Sequence, residues 1–202
     1  YKEGITGKGT VTPDPVYTGI KPVFKKTLDL PRATENADAA RYLEKRSLNP
    51  KDYYYAEKFL RFCNTFKPTY DNTSRDHGRI VIPMYDQKKK LIGFQGRALD
   101  NYVQPKYLTM MLDEDHPKIF GLDKIDKEET VYVTEGPFDS AFLRNAIAMC
   151  GSDADLGTFD YKFVFVYDNE PRSREIVSKI TKTIAQSYPV VIFPSSIHEK
   201  DL

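Results

Sequence analysis

Cysteine and histidine are scarce in this sequence, which has two cysteines and three histidines among its 202 residues. Cys63 and Cys150 lie far apart, and the absence of a CxxC pair argues against a zinc ribbon within the chain. The histidines are scattered, and no two of them have the spacing of metal ligands. We therefore expect two unpaired thiols in a reducing compartment, with a disulfide between them as the alternative.

Long hydrophobic runs are also missing, and no segment approaches the length of a membrane-spanning helix. Hydrophobic residues make up 40% of the chain and charged residues 29%, which is ordinary for a globular domain. The chain starts at Tyr1 and stops within the motif-like end Glu199 to Leu202, so we expect a fragment of a longer protein. These features predict a cytoplasmic protein without a membrane partner.

The charged residues are distributed unevenly. Lys and Arg outnumber Asp and Glu by 23 to 19 in residues 1–130, whereas Asp and Glu outnumber Lys and Arg by 10 to 7 in residues 131–202. A basic first part suits a polyanionic partner, and an acidic second part suits metal binding. Simple scatter over a solvated surface is the alternative interpretation.

The first part of the chain predicts a linker followed by a small α+β subdomain. Residues 1–35 are rich in Gly, Pro, Thr and Lys and lack a period, which is typical of an extended linker or arm. A short helix is predicted from Ala37 to Arg46, with Asn36 as its N-cap. The aromatic stretch 53–66 is compatible with either a strand or a helix. Strands are predicted at residues 79–84, 91–99 and 107–110, which places the subdomain within residues 36–128.

From residue 129 onwards strands and helices alternate with short links, which predicts a parallel sheet flanked by helices. The predicted strands are 131–134, 146–149, 163–167 and 190–193, and the predicted helices lie near 137–145 and 172–187. The run Phe163 to Val166 is apolar throughout, as expected for a strand that is covered on both faces. We interpret residues 129–202 as one α/β domain that is truncated at its C-terminus.

The end of the first predicted strand carries polar residues suited to a site. Glu135 and Gly136 stand where the strand passes into a helix, and glycine allows the backbone to approach a ligand closely. Asp139 follows Glu135 by one helical turn, so both carboxylates can face the same crevice. Ligand sites of α/β folds lie at the carboxyl ends of their strands.

A second pair of acids follows the third predicted strand. Asp168 and Glu170 are two positions apart, so their side chains can point the same way if the chain stays extended. Lys200 and Asp201 follow the last predicted strand. Several carboxylates in one crevice repel each other, and a divalent cation relieves that repulsion. The pattern therefore predicts a metal site for chemistry on phosphates.

The ordered series EG-x-x-D, D-x-E and K-D resembles a toprim domain, the fold shared by bacterial-type primases, type IA and II topoisomerases and some nucleases. Five segments before it resemble the N-terminal subdomain of the bacterial-type (DnaG-like) primase catalytic core. They are residues 39–46 (AARYLEKR), 78–83 (GRIVIP), 92–97 (IGFQGR), 105–109 (PKYLT) and 119–122 (IFGL). The acidic motif Asp168-Asn169-Glu170 differs from the D-x-D of most primases and is most similar to the primases of large tailed phages.

The resemblance covers about residues 37–202 and implies an α/β fold, in which a toprim parallel sheet with flanking helices follows a smaller α+β primase subdomain. It also implies roles for individual residues. Glu135, Asp168 and Glu170 would be catalytic and would bind metal, and Asp139 would support the metal ions. The residues implied in nucleotide or template binding are Arg79, Arg97, Lys106, Tyr107, Gly136, Lys200 and Asp201. For Tyr107, packing is the alternative to stacking on a base.

The implied function is that of the RNA-polymerase core of a DNA primase, which makes short RNA primers on single-stranded DNA from NTPs with Mg²⁺ or Mn²⁺. The expected partners are the DNA template, NTPs, the RNA primer, a replicative hexameric helicase and single-strand-binding protein in the replisome. Zinc is expected only in a domain outside this chain. Two alternatives stay open, namely phosphodiester cleavage by a toprim nuclease or topoisomerase and a non-catalytic toprim module that binds DNA.

Overall fold

The computed structural model describes residues 28–151 and 156–200, which form two β-sheets with helices packed around them. Residues 1–27 of the predicted linker lie outside the described residues. Its remaining part packs on the first sheet, because Leu28 is buried and Arg32 pairs with Tyr54 in an isolated antiparallel bridge. The folded part therefore begins before residue 36.

The first sheet is antiparallel, and its four strands lie in sequence order. The strands are β1 (Tyr54–Ala56), β2 (Arg79–Tyr85), β3 (Leu91–Ala98) and β4 (Tyr107–Met111), and the helices are α1 (Ala37–Glu44) and α2 (Phe59–Asn64). As predicted, Asn36 caps α1, because its side chain accepts a hydrogen bond from the backbone N–H of Ala39. The undecided aromatic stretch contains both a strand, β1, and a helix, α2.

Helix α2 is fixed against β3 by a close contact and a cap. A Cβ atom on Gly96 would lie 2.3 Å from ring atoms of Phe59, so only glycine allows the helix to approach the strand this closely. The buried carboxylate of Asp76 accepts hydrogen bonds from the backbone N–H groups of Leu60 and Arg61 at 2.8 and 2.9 Å. These two contacts join a six-residue helix firmly to the first sheet.

The second sheet is parallel, as the sequence predicts, and has the strand order β6-β5-β7. Its elements are β5 (Val131–Thr134), α3 (Pro137–Ser140), β6 (Ala146–Ala148), β7 (Phe163–Phe165) and α4 (Arg174–Ala185). The side chain of Ser173 caps α4 by accepting from the N–H of Ile176. The central position of β5 places the residues that follow it between the ends of two neighbouring strands.

Two predicted elements of this half are wrong in extent. The helix predicted at 137–145 ends at Ser140, and Asn145 adopts a left-handed φ of 53° while its side chain donates to the backbone oxygens of Asp126 and Thr130. The strand predicted at 190–193 is reduced to a single parallel bridge between Phe165 and Val190. Prolines at positions 189 and 194 flank this segment, and proline cannot donate to a strand ladder.

The two sheets meet through apolar side chains. Phe138 of α3 is buried in the core of the first sheet, and its ring meets that of Tyr53 edge-on at 5.4 Å. Met84 and Ile92 form a second buried cluster with Ala148 and Cys150. Both cysteines are buried free thiols, as predicted. Across the described ranges, no helix has the length and apolar character needed to cross a membrane.

Candidate active site

A small pocket opens at the carboxyl ends of β5 and β7, where the sequence predicts the site. It is lined by Thr134, Glu135, Asp139, Val166, Tyr167, Asp168, Phe193 and Lys200. Three of the four carboxylates predicted to bind metal, those of Glu135, Asp139 and Asp168, therefore face one pocket. Parallel strands bring these residues together because their carboxyl ends lie at the same edge of the sheet.

The turn after β5 shapes one side of the pocket. The hydroxyl of Thr134 lies 3.0 Å from the backbone oxygen of Gly136 and 3.2 Å from that of Ile147, which ties the turn to β6. A Cβ atom on Gly136 would lie 2.6 Å from Oδ2 of Asp139. Glycine at this position thus leaves room for the Asp139 carboxylate to fold back towards Glu135.

Lys179 is a site residue that the sequence analysis missed. Its Nζ lies 2.9 Å from Oε1 of Glu135 and 2.8 Å from Oε1 of Glu175, one turn earlier in α4. Burial alone would lower the pKa of Lys179, but hydrogen bonds to Glu175 and Glu135 outweigh it and raise the pKa above its usual value. The ammonium group therefore stays charged and links α4 to the end of β5.

The acidic motif after β7 is connected to the loop that carries Lys200. Nζ of Lys200 lies 3.6 Å from Oδ2 of Asp168 and 3.2 Å from Oε2 of Glu170. Asn169 donates from its side chain to the backbone oxygens of Ile197 and Glu199, and from its backbone N–H to that of Lys200. The predicted site residue Asp201 lies outside the described residues.

The donors at this edge are carboxylate oxygens, which are the ligands that Mg²⁺ and Mn²⁺ prefer. Within residues 28–151 and 156–200, however, no three acidic, histidine or cysteine side chains are arranged to hold a metal ion. Lysine ammonium groups contact Glu135, Asp168 and Glu170 instead. The ligand types thus fit a divalent ion, while the predicted set of four ligands is not assembled around one point.

Arg79 does not lie where a template contact requires it. Its side chain is only 1% exposed, and its guanidinium donates to the backbone oxygens of Gly96, Pro105 and Lys106 at 3.0–3.1 Å. The predicted direct contact with template or nucleotide is therefore wrong for Arg79. The sequence could not reveal this, because the three acceptors come from segments 17 to 27 residues away.

Arg97, Lys106 and Tyr107 form the remaining part of the predicted binding set. Arg97 is buried, donates from Nε to the hydroxyl of Tyr42 at 2.8 Å, and lies 4.7 Å from the ring centroid of Tyr107. Burial raises the pKa of Tyr107 to about 12, and its ring packs against Phe138. The ring of Tyr107 therefore takes part in packing, and its stacking on a base stays a prediction. Lys106 is exposed, so it is the residue of the three that can reach a ligand in solvent.

Comparisons with known proteins relate this chain to DNA primases. Residues 51–113 match the family model of the DNA primase catalytic core, N-terminal domain. The DNA primase of Enterobacteria phage T4 is 32% identical over 173 residues, which cover 83% of this chain and 50% of the phage protein.

Solved primase structures match over most of the chain. The Aquifex aeolicus primase, with its zinc-binding and RNA polymerase domains, has a TM-score of 0.60 and 22% identity over 81% of this chain and 51% of its own. A DnaG primase catalytic domain bound to single-stranded DNA has a TM-score of 0.55 and 18% identity over 83% of this chain and 68% of its own. At these identities the structural matches establish the fold.

The antiparallel sheet, the parallel sheet and the order in which they follow each other are those of a DNA primase catalytic core. The sequence matches agree with this fold, so the chain is similar to the DnaG-type DNA primases. The chain spans about half the length of the phage T4 protein and of the Aquifex chain.

Proposed function

We propose that this chain is the RNA-polymerase core of a DNA primase, which copies single-stranded DNA into short RNA primers during DNA replication. The observation that carries the proposal is the convergence of Glu135, Asp139 and Asp168 on one pocket within a primase-type fold. The DnaG relative bound to single-stranded DNA supports the choice of template. We assign residues 36–128, with the segment from Leu28 that packs on them, to the primase N-terminal subdomain and residues 129–202 to a toprim domain.

Four carboxylates, those of Glu135, Asp139, Asp168 and Glu170, would hold the divalent ions. Bound Mg²⁺ or Mn²⁺ supplies positive charge that stabilises the phosphate oxygens during nucleotidyl transfer. Glu135, at the end of the central strand, would accept the proton of the attacking 3′ hydroxyl at one of its carboxylate oxygens. Lys179 keeps that carboxylate oriented by its contact with Oε1.

Template and nucleotide binding would depend on exposed basic residues. Lys106 presents its ammonium group to solvent beside the first sheet. Contacts of this kind bind phosphates without regard to sequence and weaken as salt rises. Further proposals follow from the resemblance to these primases. The expected partners are a replicative helicase and single-strand-binding protein, the expected further domain is a zinc-bearing module, and the expected location is the cytoplasm of the host cell. The match to the phage T4 primase supports a tailed-phage origin.

The decisive experiment is template-dependent RNA synthesis on single-stranded DNA with labelled NTPs and Mg²⁺ or Mn²⁺. Glu135→Gln should abolish the product, whereas Lys182→Met, an exposed change on α4 outside the pocket, should leave it unchanged. Metal-dependent nicking without RNA synthesis would instead support the nuclease alternative. RNA synthesis that survives Glu135→Gln would contradict the assigned role of this residue.

A further inference from the structure

Lys200 occupies a position between two acids of the pocket edge. Its ammonium nitrogen lies 3.2 Å from Glu170 and 3.6 Å from Asp168. All three side chains are partly exposed, at 54% for Lys200, 27% for Asp168 and 38% for Glu170. One ammonium group therefore neutralises part of the charge of the two carboxylates of the D-x-E motif. Solvent reaches all three side chains, so another cation can approach them.

The position of Lys200 is determined by the central residue of that motif. Asn169 makes two side-chain hydrogen bonds of 3.0 Å, to the backbone oxygens of Ile197 and Glu199, and one backbone hydrogen bond of 2.8 Å, to that of Lys200. The loop 197–200 is thus attached to the segment that carries the two acids. This attachment keeps the backbone of Lys200 beside the two carboxylates, within reach of its side chain.

Lys179 provides an internal comparison, because it differs from Lys200 in how it is held. It lies within helix α4 and makes two contacts shorter than 3 Å, one of them to Glu175 of the same helix. Lys200 lies in a loop, and its contacts with the acids are longer. Of the two lysines, Lys200 is the one that can leave its carboxylates without any change in a helix.

Building on the proposed function, we propose that Lys200 is a built-in counter-cation, which a divalent metal ion displaces from Asp168 and Glu170. The ammonium group and a metal ion compete for the same carboxylate oxygens, and two cations at that distance repel each other. Lys200 therefore weakens metal binding in the resting chain. Asn169 sets the strength of this competition because it holds the lysine in place.

The test is a titration of the full chain with Mn²⁺, followed by calorimetry or by the paramagnetic resonance signal of free Mn²⁺. Lys200→Met should bind Mn²⁺ roughly three- to tenfold more tightly than the wild type, since two exposed ion pairs no longer compete. Lys182→Met makes the same change in net charge away from the pocket and should stay within about twofold.

Asn169→Ala provides a second variant that keeps both acids and the lysine. It should also tighten Mn²⁺ binding. The double variant with Lys200→Met should bind no more tightly than Lys200→Met alone, because both substitutions remove the same interaction, that of Lys200 with the two carboxylates. Thermal unfolding of each variant verifies that it is folded.

Two outcomes separate this inference from the proposed function. In the first, Asp168→Asn weakens Mn²⁺ binding, but Lys200→Met leaves it unchanged or also weakens it. This result would overturn the proposal that Lys200 is a counter-cation and would leave the proposed metal site standing. Absence of Mn²⁺ binding in the wild type and in every variant would contradict both.

Discussion

Nζ of Lys179 lies 2.9 Å from Oε1 of Glu135 and so connects the middle of α4 to the carboxyl end of β5. The same ammonium group contacts Glu175 at 2.8 Å, so it is held from both sides. Glu135 is the acid to which we assign the central role in the chemistry. Its orientation therefore depends on a helix that begins almost forty residues later in the chain.

Replacing Lys179 with Met should lower primer synthesis roughly tenfold, because Glu135 loses the contact that orients it. Mn²⁺ affinity should fall as well, although one positive charge has been removed from the pocket. Lys179→Arg should keep part of the primer synthesis and part of the Mn²⁺ affinity. Lys182→Met provides the matched control on the same helix. If Lys179→Met instead tightens Mn²⁺ binding, Lys179 acts only through its charge and does not position Glu135.

Substitutions of Arg79 and Lys106 should have different effects, the first on the stability of the fold and the second on the binding of single-stranded DNA. Arg79→Lys keeps the charge but loses the planar donor group that bonds three backbone oxygens, so we expect a loss of about 2–3 kcal/mol in the free energy of unfolding. Lys106→Ala should change stability by no more than about 0.5 kcal/mol. It should weaken binding to single-stranded DNA. The slope of the logarithm of the binding constant against the logarithm of the salt concentration should become shallower by about one. Urea unfolding and DNA titrations at several salt concentrations measure both. Normal stability of Arg79→Lys with weakened DNA binding would refute the structural role of Arg79.

Phe138 and Phe142 are two phenylalanines one turn apart, and only one of them is buried. Phe138→Ala should cost about 3–5 kcal/mol in the free energy of unfolding, because it leaves a cavity between the two sheets. Phe142 is 44% exposed, so Phe142→Ala should cost less than about 1 kcal/mol. Denaturant unfolding of the two variants provides the comparison. Equal losses would show that Phe138 does not hold the sheets together.

The two thiols should be unreactive in the folded chain. Burial raises the pKa of both Cys63 and Cys150 to about 12, so the thiolate that reacts with disulfide reagents is almost absent at pH 8. A thiol-specific reagent should therefore label neither residue until urea unfolds the protein, after which both should react. Rapid labelling of one thiol in the native state would indicate local opening around that residue.

Local patterns were enough to predict the edge of the sheet at which the site lies, although β7 ends at Phe165, two residues before the predicted end. Glu135 and Asp168 directly follow short apolar runs, and the alternation of strands and helices implies that such ends share one edge of a parallel sheet. Asn36 was likewise recognisable as a cap. The extent of α3 could not be predicted in this way, because the segment after it is held by hydrogen bonds from Asn145 to the backbone before β5.

Contacts between distant segments account for the rest. The spacing of Glu175 and Lys179 suggests an ion pair within a helix, yet nothing local indicates that the same ammonium group also reaches Glu135. Arg79 stands beside a glycine at the start of a strand, which favoured a surface role. Its guanidinium is enclosed by the segment at Pro105 and Lys106, whose backbone oxygens accept its hydrogen bonds, a relation that only the folded chain contains.

Phe138 and Asp139 are neighbours in a helix of four residues, and their side chains lie in different parts of the molecule. The phenyl ring is lodged in the core of the first sheet, while the carboxylate lines the pocket of the second. A tilt of one sheet relative to the other is consequently transmitted to the pocket across a single peptide bond, with no flexible linker to absorb it.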